Sequence, residues 1–514
     1  MVGKSVQLPF AKAHNVRLKS WLRPGRSGQL KALEKDMRHA RSYQHWASLA
    51  QAHDHISGRD SWRRVPQSDL FDSEQVQRRY ELLRELCDSD DVEEILFALN
   101  EGIHGNTGGM GQPKLYRQSE FGTKNLISDY VNVVIEALYR VYDADEAIIP
   151  FEDKLDFIRR ARHCYGRSAL SMSGGGGLIY FHHGVVKSLL EHDLLPNVLA
   201  GSSAGAWMCA QIGTRTDEEL KGYFDGARCA GLDGLDFWKA FDVLKKDRAE
   251  AARRETVEAF CGDMTFQEAF EKTGRYINIS ISPAEKHQTS RLMNAITSPN
   301  VTIASAAMAS SAIPGLSQPV MLEAKDAKGR LKPYLRSRRW TDGSMAQDIP
   351  TKPLSRLFGV NHLIVSMINP LAVPFVSDPK TRRESMLQSA QNIVATGSKE
   401  MINSSRRVLD ILGYENATNA LDQIQSLMDQ IYTGHVNIML DQKDFRWINA
   451  AFVFKNDAEI RRLIRVGERA TWPKIEMIRN ASAISRELDD LGERLERRDM
   501  EERHQPSRAH MTLP

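Results

Sequence analysis

The stretch Val198-Leu199-Ala200-Gly201-Ser202-Ser203-Ala204-Gly205-Ala206-Trp207-Met208-Cys209 decides how this chain is read. Val198 to Ala200 is a short apolar run suited to a buried strand, and Ala204 to Ile212 reads as the start of a helix. Between them, Gly201-Ser202-Ser203-Ala204-Gly205 has the form G-x-S-x-G. A sharp strand-to-helix turn brings the backbone close to itself, and glycines on both sides of the serine avoid Cβ clashes. Such a turn exposes Ser203 Oγ at a helix N-terminus, where the dipole and free N–H groups favour developing negative charge. Taken alone, the pentapeptide also reads as a plain Gly/Ser/Ala turn, so the surrounding chain has to decide.

Upstream, Ala169 to Ser173 fits a strand, Gly174-Gly175-Gly176-Gly177 follows, and Tyr180 to Leu195 has helical spacing. Its apolar face is Phe181, Val185, Val186, Leu189, Leu190 and Leu194. Strand, glycine loop, helix, strand, elbow and helix make a βαβ unit. A glycine loop at a helix N-terminus offers N–H donors to an anion, either a phosphate or a tetrahedral oxyanion, and the serine elbow favours the oxyanion. Neither G-x-x-x-x-G-K-[ST] nor a full G-x-G-x-x-G is present there, which argues against a nucleotide site. Far downstream, Trp340-Thr341-Asp342-Gly343-Ser344 carries an Asp-Gly turn.

At these residues the chain resembles the patatin-like phospholipase and lipase family. The resemblance implies a three-layer α/β/α sandwich with a mostly parallel central sheet, flanked here by helical N- and C-terminal regions. It implies a Ser–Asp dyad without histidine: Ser203 as nucleophile, Asp342 as base, and Gly174, Gly175, Gly176 and Gly177 as the oxyanion loop. Gly201, Ser202, Ala204 and Gly205 would form the elbow, and Gly343 and Ser344 the acid turn. Two positions depart from the family pattern. Ser344 follows Asp342-Gly343 in place of Gly or Ala, and Ile179 stands where the loop motif ends in glycine.

A second resemblance extends it. Trp62-Arg63, Gly108-Gly109-Met110-Gly111-Gln112-Pro113-Lys114-Leu115-Tyr116 and Gly122-Thr123-Lys124 resemble pieces of the helical domain that precedes the patatin domain in fungal triacylglycerol lipases and plant oil-body lipases. It covers roughly residues 35–375. Spacing alone shows only helices and a structured loop here, with Trp62 and Tyr116 as core packing.

Composition is ordinary for a globular chain: 514 residues, 41% hydrophobic, 26% charged and a net charge of +3. That balance gives no support to nucleic-acid binding. The five cysteines (Cys87, Cys164, Cys209, Cys229 and Cys261) are scattered without a C-x-x-C pair, which fits reduced thiols. No metal site or cofactor is expected. No signal-peptide core or transmembrane run is evident, so the expected location is cytoplasmic, with peripheral contact at a membrane or lipid-droplet surface.

The expected organisation is a basic flexible tail (1–30), a helical N-terminal domain (31–150), a catalytic domain (160–375) and a mostly helical C-terminal region with a disordered end (376–514). Within the tail and just past it, residues 1–33 hold seven Lys/Arg and no Asp/Glu; the segment is either a solvated tail or a lipid-surface contact. Trp46 to His53, Ser73 to Cys87, Val92 to Leu99 and Lys124 to Tyr142 are the expected N-terminal helices. Tyr276 to Ser282 alternates as a strand, with Arg291 to Asn294 as its partner. Val301 to Ile313 is a small-residue helix, His362 to Asn369 a strand, and Phe445 to Phe454 a strand pair. Leu488, Leu491 and Leu495 form an apolar seam on a charged helix, read as an outer helix or oligomer contact. Arg336, Arg338 and Arg339 face lipid headgroups or simply solvent.

The function these motifs imply is a serine lipid acyl hydrolase of triacylglycerol lipase or phospholipase type, acting on a glycerolipid through an acyl-enzyme. A carboxylate is a poor base in water, so the dyad needs a dry site that raises the aspartate pKa. The competing readings are an α/β-hydrolase with a Ser203–Asp342–His triad, drawing on His362, His435, His504 or His510, and a non-catalytic lipid-surface protein. His104 reads as a surface-loop residue, and the storage-lipase resemblance implies that His182, next to His183, packs beside the site.

Overall fold

The structure, a computed structural model, describes residues 25–225, 261–285, 288–313, 317–369, 434–440 and 457–504. Its centre is a seven-stranded sheet. The strands are β1 (Arg167–Met172), β2 (Val198–Gly201), β3 (Tyr276–Pro283), β4 (Arg291–Met293), β7 (Trp340–Asp342), β8 (Val360–Met367) and β9 (Val436–Met439). Two short strands, β5 (Glu323–Lys325) and β6 (Leu331–Pro333), pair separately as a hairpin. The order across the sheet is β4-β3-β2-β1-β8-β9, and β3-β2-β1-β8-β9 are mutually parallel. This is an α/β fold with a mostly parallel sheet flanked by helices, as expected from the sequence.

Alternation along the strands sorts the core into two faces. Leu170, Met172, Leu199, Ile277, Ile279, Ile281, Ile364 and Ile438 point into the larger core. Ala169, Val198, Ala200, Leu363, Val365 and Met367 point into a thinner layer closed by Ile349, Leu354 and Phe358 around the helix Thr351–Phe358. The helix Ile179–Glu191 is buried nearly all round, not on one face as its spacing suggested, because a second helix, Asp457–Thr471, covers its outer side. The two cross at glycines. A Cβ on Gly184 would lie 2.0 Å from Ile464 O, and one on Gly467 2.2 Å from Phe181 O.

The N-terminal helices are Arg26–His39, Tyr43–Ser57, Arg59–Arg64, Ser73–Ser89, Val92–Gly102, Asn125–Asp143 and Phe151–Tyr165. Ser42, Asp72 and Asp91 cap three of them with side-chain oxygens. The first begins at Arg26, so the expected flexible tail of 1–30 is corrected at its end; residues 1–24 lie outside the described residues. Lys124 explains two of the quoted motifs. Its Nζ donates to Trp62 O (2.7 Å), Val65 O (2.7 Å) and Gln67 O (3.0 Å) and sits 4.3 Å from the Trp62 ring centroid. The Gly-Thr-Lys segment thereby satisfies carbonyls at and just past the end of the Trp-Arg helix.

The leucine seam of the last helix, Ile475–His504, is neither an outer face nor an oligomer contact. Leu488, Leu491 and Leu495 are buried in the main core against Asn125–Asp143 and Phe151–Tyr165. Polar contacts tie it to three parts of the chain: Tyr43 Oη donates to Glu476 (2.9 Å), Tyr139 Oη to Glu487 (2.7 Å), and Arg167 of β1 pairs with Asp489 (3.0 Å). The expected strand pair at Phe445–Phe454 lies outside the described residues.

Candidate active site

The parallel strands β1 and β2 end side by side, Met172 opposite Gly201. The chain then turns through Ser202 and Ser203 into the helix Ala204–Gly213. Ser203 adopts φ 50°, ψ −115°, a conformation rare for a residue with a Cβ. Such strain persists only where the surroundings impose it. Here the glycines leave room: a Cβ on Gly201 would lie 2.2 Å from Gly205 O, and one on Gly205 2.0 Å from Met172 O. Ser203 N–H donates to Ser310 Oγ (2.9 Å), and Ser310 Oγ–H donates to Ser280 O (2.7 Å). The small-residue helix Ile303–Ser310 therefore anchors the elbow to β3.

Asp342 arrives along the same edge of β3. Gly201 is opposite Ile279, and two residues on, Asp342 of antiparallel β7 is opposite Ile281. β7 thus occupies the lane that β2 vacates, and the carboxylate lands beside the serine, with a hydrogen bond to the Ser203 side chain. Its Oδ1 accepts the Ser344 N–H at 2.8 Å. Asp342 is 2% exposed and Ser203 8%. Burial pushes the Asp342 pKa up to about 7, against the bonds from Ser344 and Ser203, and the neighbouring Asp348 carboxyl adds to the rise.

The glycine loop lies over both. A Cβ on Gly174 would stand 3.4 Å from Ser203 Cβ and 3.1 Å from Ser344 Cβ. Gly176-Gly177-Leu178 forms a tight turn into the helix that begins at Ile179, whose side chain is fully buried in the core. The Gly174 N–H donates to Asp348 Oδ1 (2.8 Å). Gly174 is thereby corrected as an oxyanion donor, because its one N–H is already engaged; Gly175, Gly176 and Gly177 remain.

Residues 170–355 match the pattern of the patatin-like phospholipase family, and residues 24–163 match a domain of unknown function (DUF3336). A patatin-like phospholipase domain-containing protein of Neosartorya fischeri is 32% identical over 499 residues, 89% of this chain and 68% of that protein. The chain belongs to the patatin-like phospholipase family. A family member of Pyricularia oryzae is 31% identical, over 95% of this chain and 66% of that protein. An Arabidopsis thaliana protein named triacylglycerol lipase SDP1L is 33% identical over 474 residues, 88% of this chain. This chain spans 57% of that protein's length.

In this patatin-family chain, among the described residues, none of the candidate histidines bonds Ser203 or Asp342. His362 pairs with Ser168 and its Nδ1 bonds Ser168 Oγ (2.9 Å), at the opposite end of β1 from Met172. That is four residues from the site, roughly 13 Å along a strand. His435 donates its N–H to Leu363 O and accepts the Leu363 N–H on its ring, at the same far end. His504 is exposed on the last helix; His510 lies outside the described residues. His182 is buried, with Nε2–H donating to Ser173 O (3.0 Å) and Nδ1 accepting from Ser366 Oγ (2.6 Å). Burial holds its pKa at about 3, so it is a neutral brace between the loop and β8.

Sequence reasoning missed Asp348, Ser310 and Asn369. Asp348 is fully buried and gathers the Gly174 N–H, the Ser202 hydroxyl and Asn369 Nδ2 (2.9 Å) on one carboxyl group. The only signal was an acid just ahead of Ile349-Pro350, close behind Asp342.

Proposed function

We propose that this chain is a serine lipid acyl hydrolase in which Ser203 is the nucleophile and Asp342 the base. The observation that carries the reading is the meeting of a strained, positive-φ serine with a buried carboxyl group whose pKa is lifted to about 7. That value suits a group that takes and returns a proton near neutrality. Ser203 Oγ attacks the ester carbonyl carbon while its proton passes to Asp342. The oxyanion meets N–H groups of the loop Gly175–Gly177. Collapse expels the alcohol, which takes the proton from Asp342, and leaves an acyl group on Ser203. Water then repeats the sequence and releases the acid. Every proton transfer is assigned to this chain's own side chains, and no metal or cofactor enters a step.

The relative named triacylglycerol lipase directs the substrate reading towards triacylglycerol, with phospholipid as the second class. The test is hydrolysis of triolein and phosphatidylcholine by the wild type, Ser203→Ala and Asp342→Asn, with fluorophosphonate labelling alongside. The wild type should label and hydrolyse, Ser203→Ala should do neither, and Asp342→Asn should lose hydrolysis. A folded wild type that neither labels nor hydrolyses would return the chain to the lipid-surface binding reading.

A further inference from the structure

The rim above the site carries a cationic turn that the catalytic reading does not use. β3 runs past the end of β2, and β7 descends along it in the opposite direction to reach Asp342. Trp340 therefore stands two residues above the carboxyl group, roughly 7 Å, and Arg339 about 10 Å above it. Pairing continues there, with Ala284 N–H donating to Arg339 O at 2.9 Å. The turn Leu335–Arg339 leads into this strand and is closed by Arg338 N–H donating to Leu335 O at 2.8 Å. It is consequently held on the side of the sheet towards which the elbow opens.

The chemistry of this turn is distinctive. Leu335 is 42% exposed and held at φ 50°, so a large apolar side chain is presented to solvent by a backbone that disfavours it. Arg336 and Arg339 are exposed and Arg338 half-buried. Among the described residues, none of these three arginines forms an ion pair. The adjacent β5–β6 hairpin differs, since its Arg330 and Lys332 both pair with Asp326. A further cation, Arg291 of β4, lies 5.5 Å from the ring centroid of the buried Trp340 and adds to the same rim. Unneutralised arginines around one exposed leucine match an anionic bilayer surface, where the charges meet headgroups and the apolar tip enters the acyl boundary.

We propose that the turn Leu335–Arg339 docks the chain on an anionic lipid surface with the Ser203 site facing it. The proposal deepens the hydrolase reading by naming the surface on which that site works. The test compares the wild type with Arg336→Ser/Arg338→Ser/Arg339→Ser and, separately, Leu335→Ser. Binding is measured by flotation with phosphatidylcholine vesicles and with phosphatidylcholine vesicles containing phosphatidylserine. Hydrolysis of a soluble short-chain ester is measured in parallel.

The wild type should prefer the phosphatidylserine vesicles, and added salt should weaken that preference. Removing surface arginines should cost about fivefold in partitioning each, on the order of 100-fold for three. Leu335→Ser should weaken binding to both vesicle types. Soluble-ester hydrolysis should be unchanged in all variants. Equal binding of wild type and triple variant to phosphatidylserine vesicles overturns the proposal, as does a wild type with no preference for them. A triple variant that also loses soluble-ester hydrolysis overturns it, because the turn then acts on the site itself. If the wild type hydrolyses no soluble ester, the catalytic reading fails, and the flotation comparison still decides the docking surface.

Discussion

In the proposed mechanism Asp342 has to be ionised to accept a proton from Ser203, yet its surroundings favour the neutral acid. The groups facing it are Ser203, Ser344 and Asp348; burial is the largest influence, and Asp348 is the like charge. Two outcomes follow with opposite signs. Ester hydrolysis should rise with pH through a midpoint near 7, read from a pH–rate profile. Folding stability should behave inversely. The folded pKa lies above the ordinary 3.8, so this group's contribution is fully present below the ordinary value and lost as pH rises to about 7. Asp342→Asn should therefore be inactive and more heat-stable than wild type at pH 8. Asp348 makes a separate claim. Asp348→Ala would leave the Gly174 N–H, the Ser202 hydroxyl and Asn369 without their shared acceptor, at about 1–3 kcal/mol for each buried group left unpaired. Its activity should fall at least tenfold, through a displaced loop, on the order expected for a misplaced catalytic group. Asp348→Asn keeps an acceptor oxygen and should retain more activity, measurable in the same ester assay.

At the scale of elements, the site depends on where neighbouring elements stop. Because β2 ends at Gly201 and β3 continues, a lane opens for β7, and its last residue is the acid. The helix Ile303–Ser310 supplies the next constraint, since Ser310 holds the Ser203 backbone and Ala312 O accepts the Asp342 N–H at 3.0 Å. One helix end thus sets the separation of serine and acid. The helix behind the glycine loop is held from the other side by the Gly184–Gly467 crossing. Gly467→Ala should lower the melting temperature by an overpacking cost of about 1–3 kcal/mol, since the new methyl group meets a backbone carbonyl that cannot turn aside. A thermal melt of that single variant checks it.

For the whole molecule, the last helix decides whether the N-terminal helices and the sheet unfold together. Ile475–His504 contacts Asn125–Asp143, Phe151–Tyr165, β1 and β8, so neither part has a complete core without it. Calorimetry should show one transition for the described body. Leu491→Ala, in the middle of that contact, should destabilise it by about 2–5 kcal/mol without splitting the transition. A Leu491→Ala melt resolved into two steps would show that the parts are independent. On this scale the charge is also uneven. The net balance of +3 conceals a cationic turn above the site.

The amino-acid sequence by itself determined the local chemistry. G-x-S-x-G, the glycine loop and Asp-Gly are short-range steric and dipolar requirements, and β1, β2, β3 and β8 are legible from apolar runs or alternation because buried strands need them. The helical N-terminal region was legible in the same way, through periodicity. β7 and β9 were not, since three or four residues carry no periodic signal and exist as strands only because a neighbour offers an open edge. Asp348, Ser310 and the Gly184–Gly467 crossing were invisible for the same reason: each acts on a partner far away in the chain. The tertiary structure alone decided that Ser203 and Asp342 share one edge of β3 and that His362 and His435 stand at the far end of β1 and β8. It also decided that the Gly174 N–H belongs to Asp348 and that the leucine seam turns inward. Sequence spacing specifies which groups a turn can present, whereas burial and strand register specify which of them meet and in what state of charge.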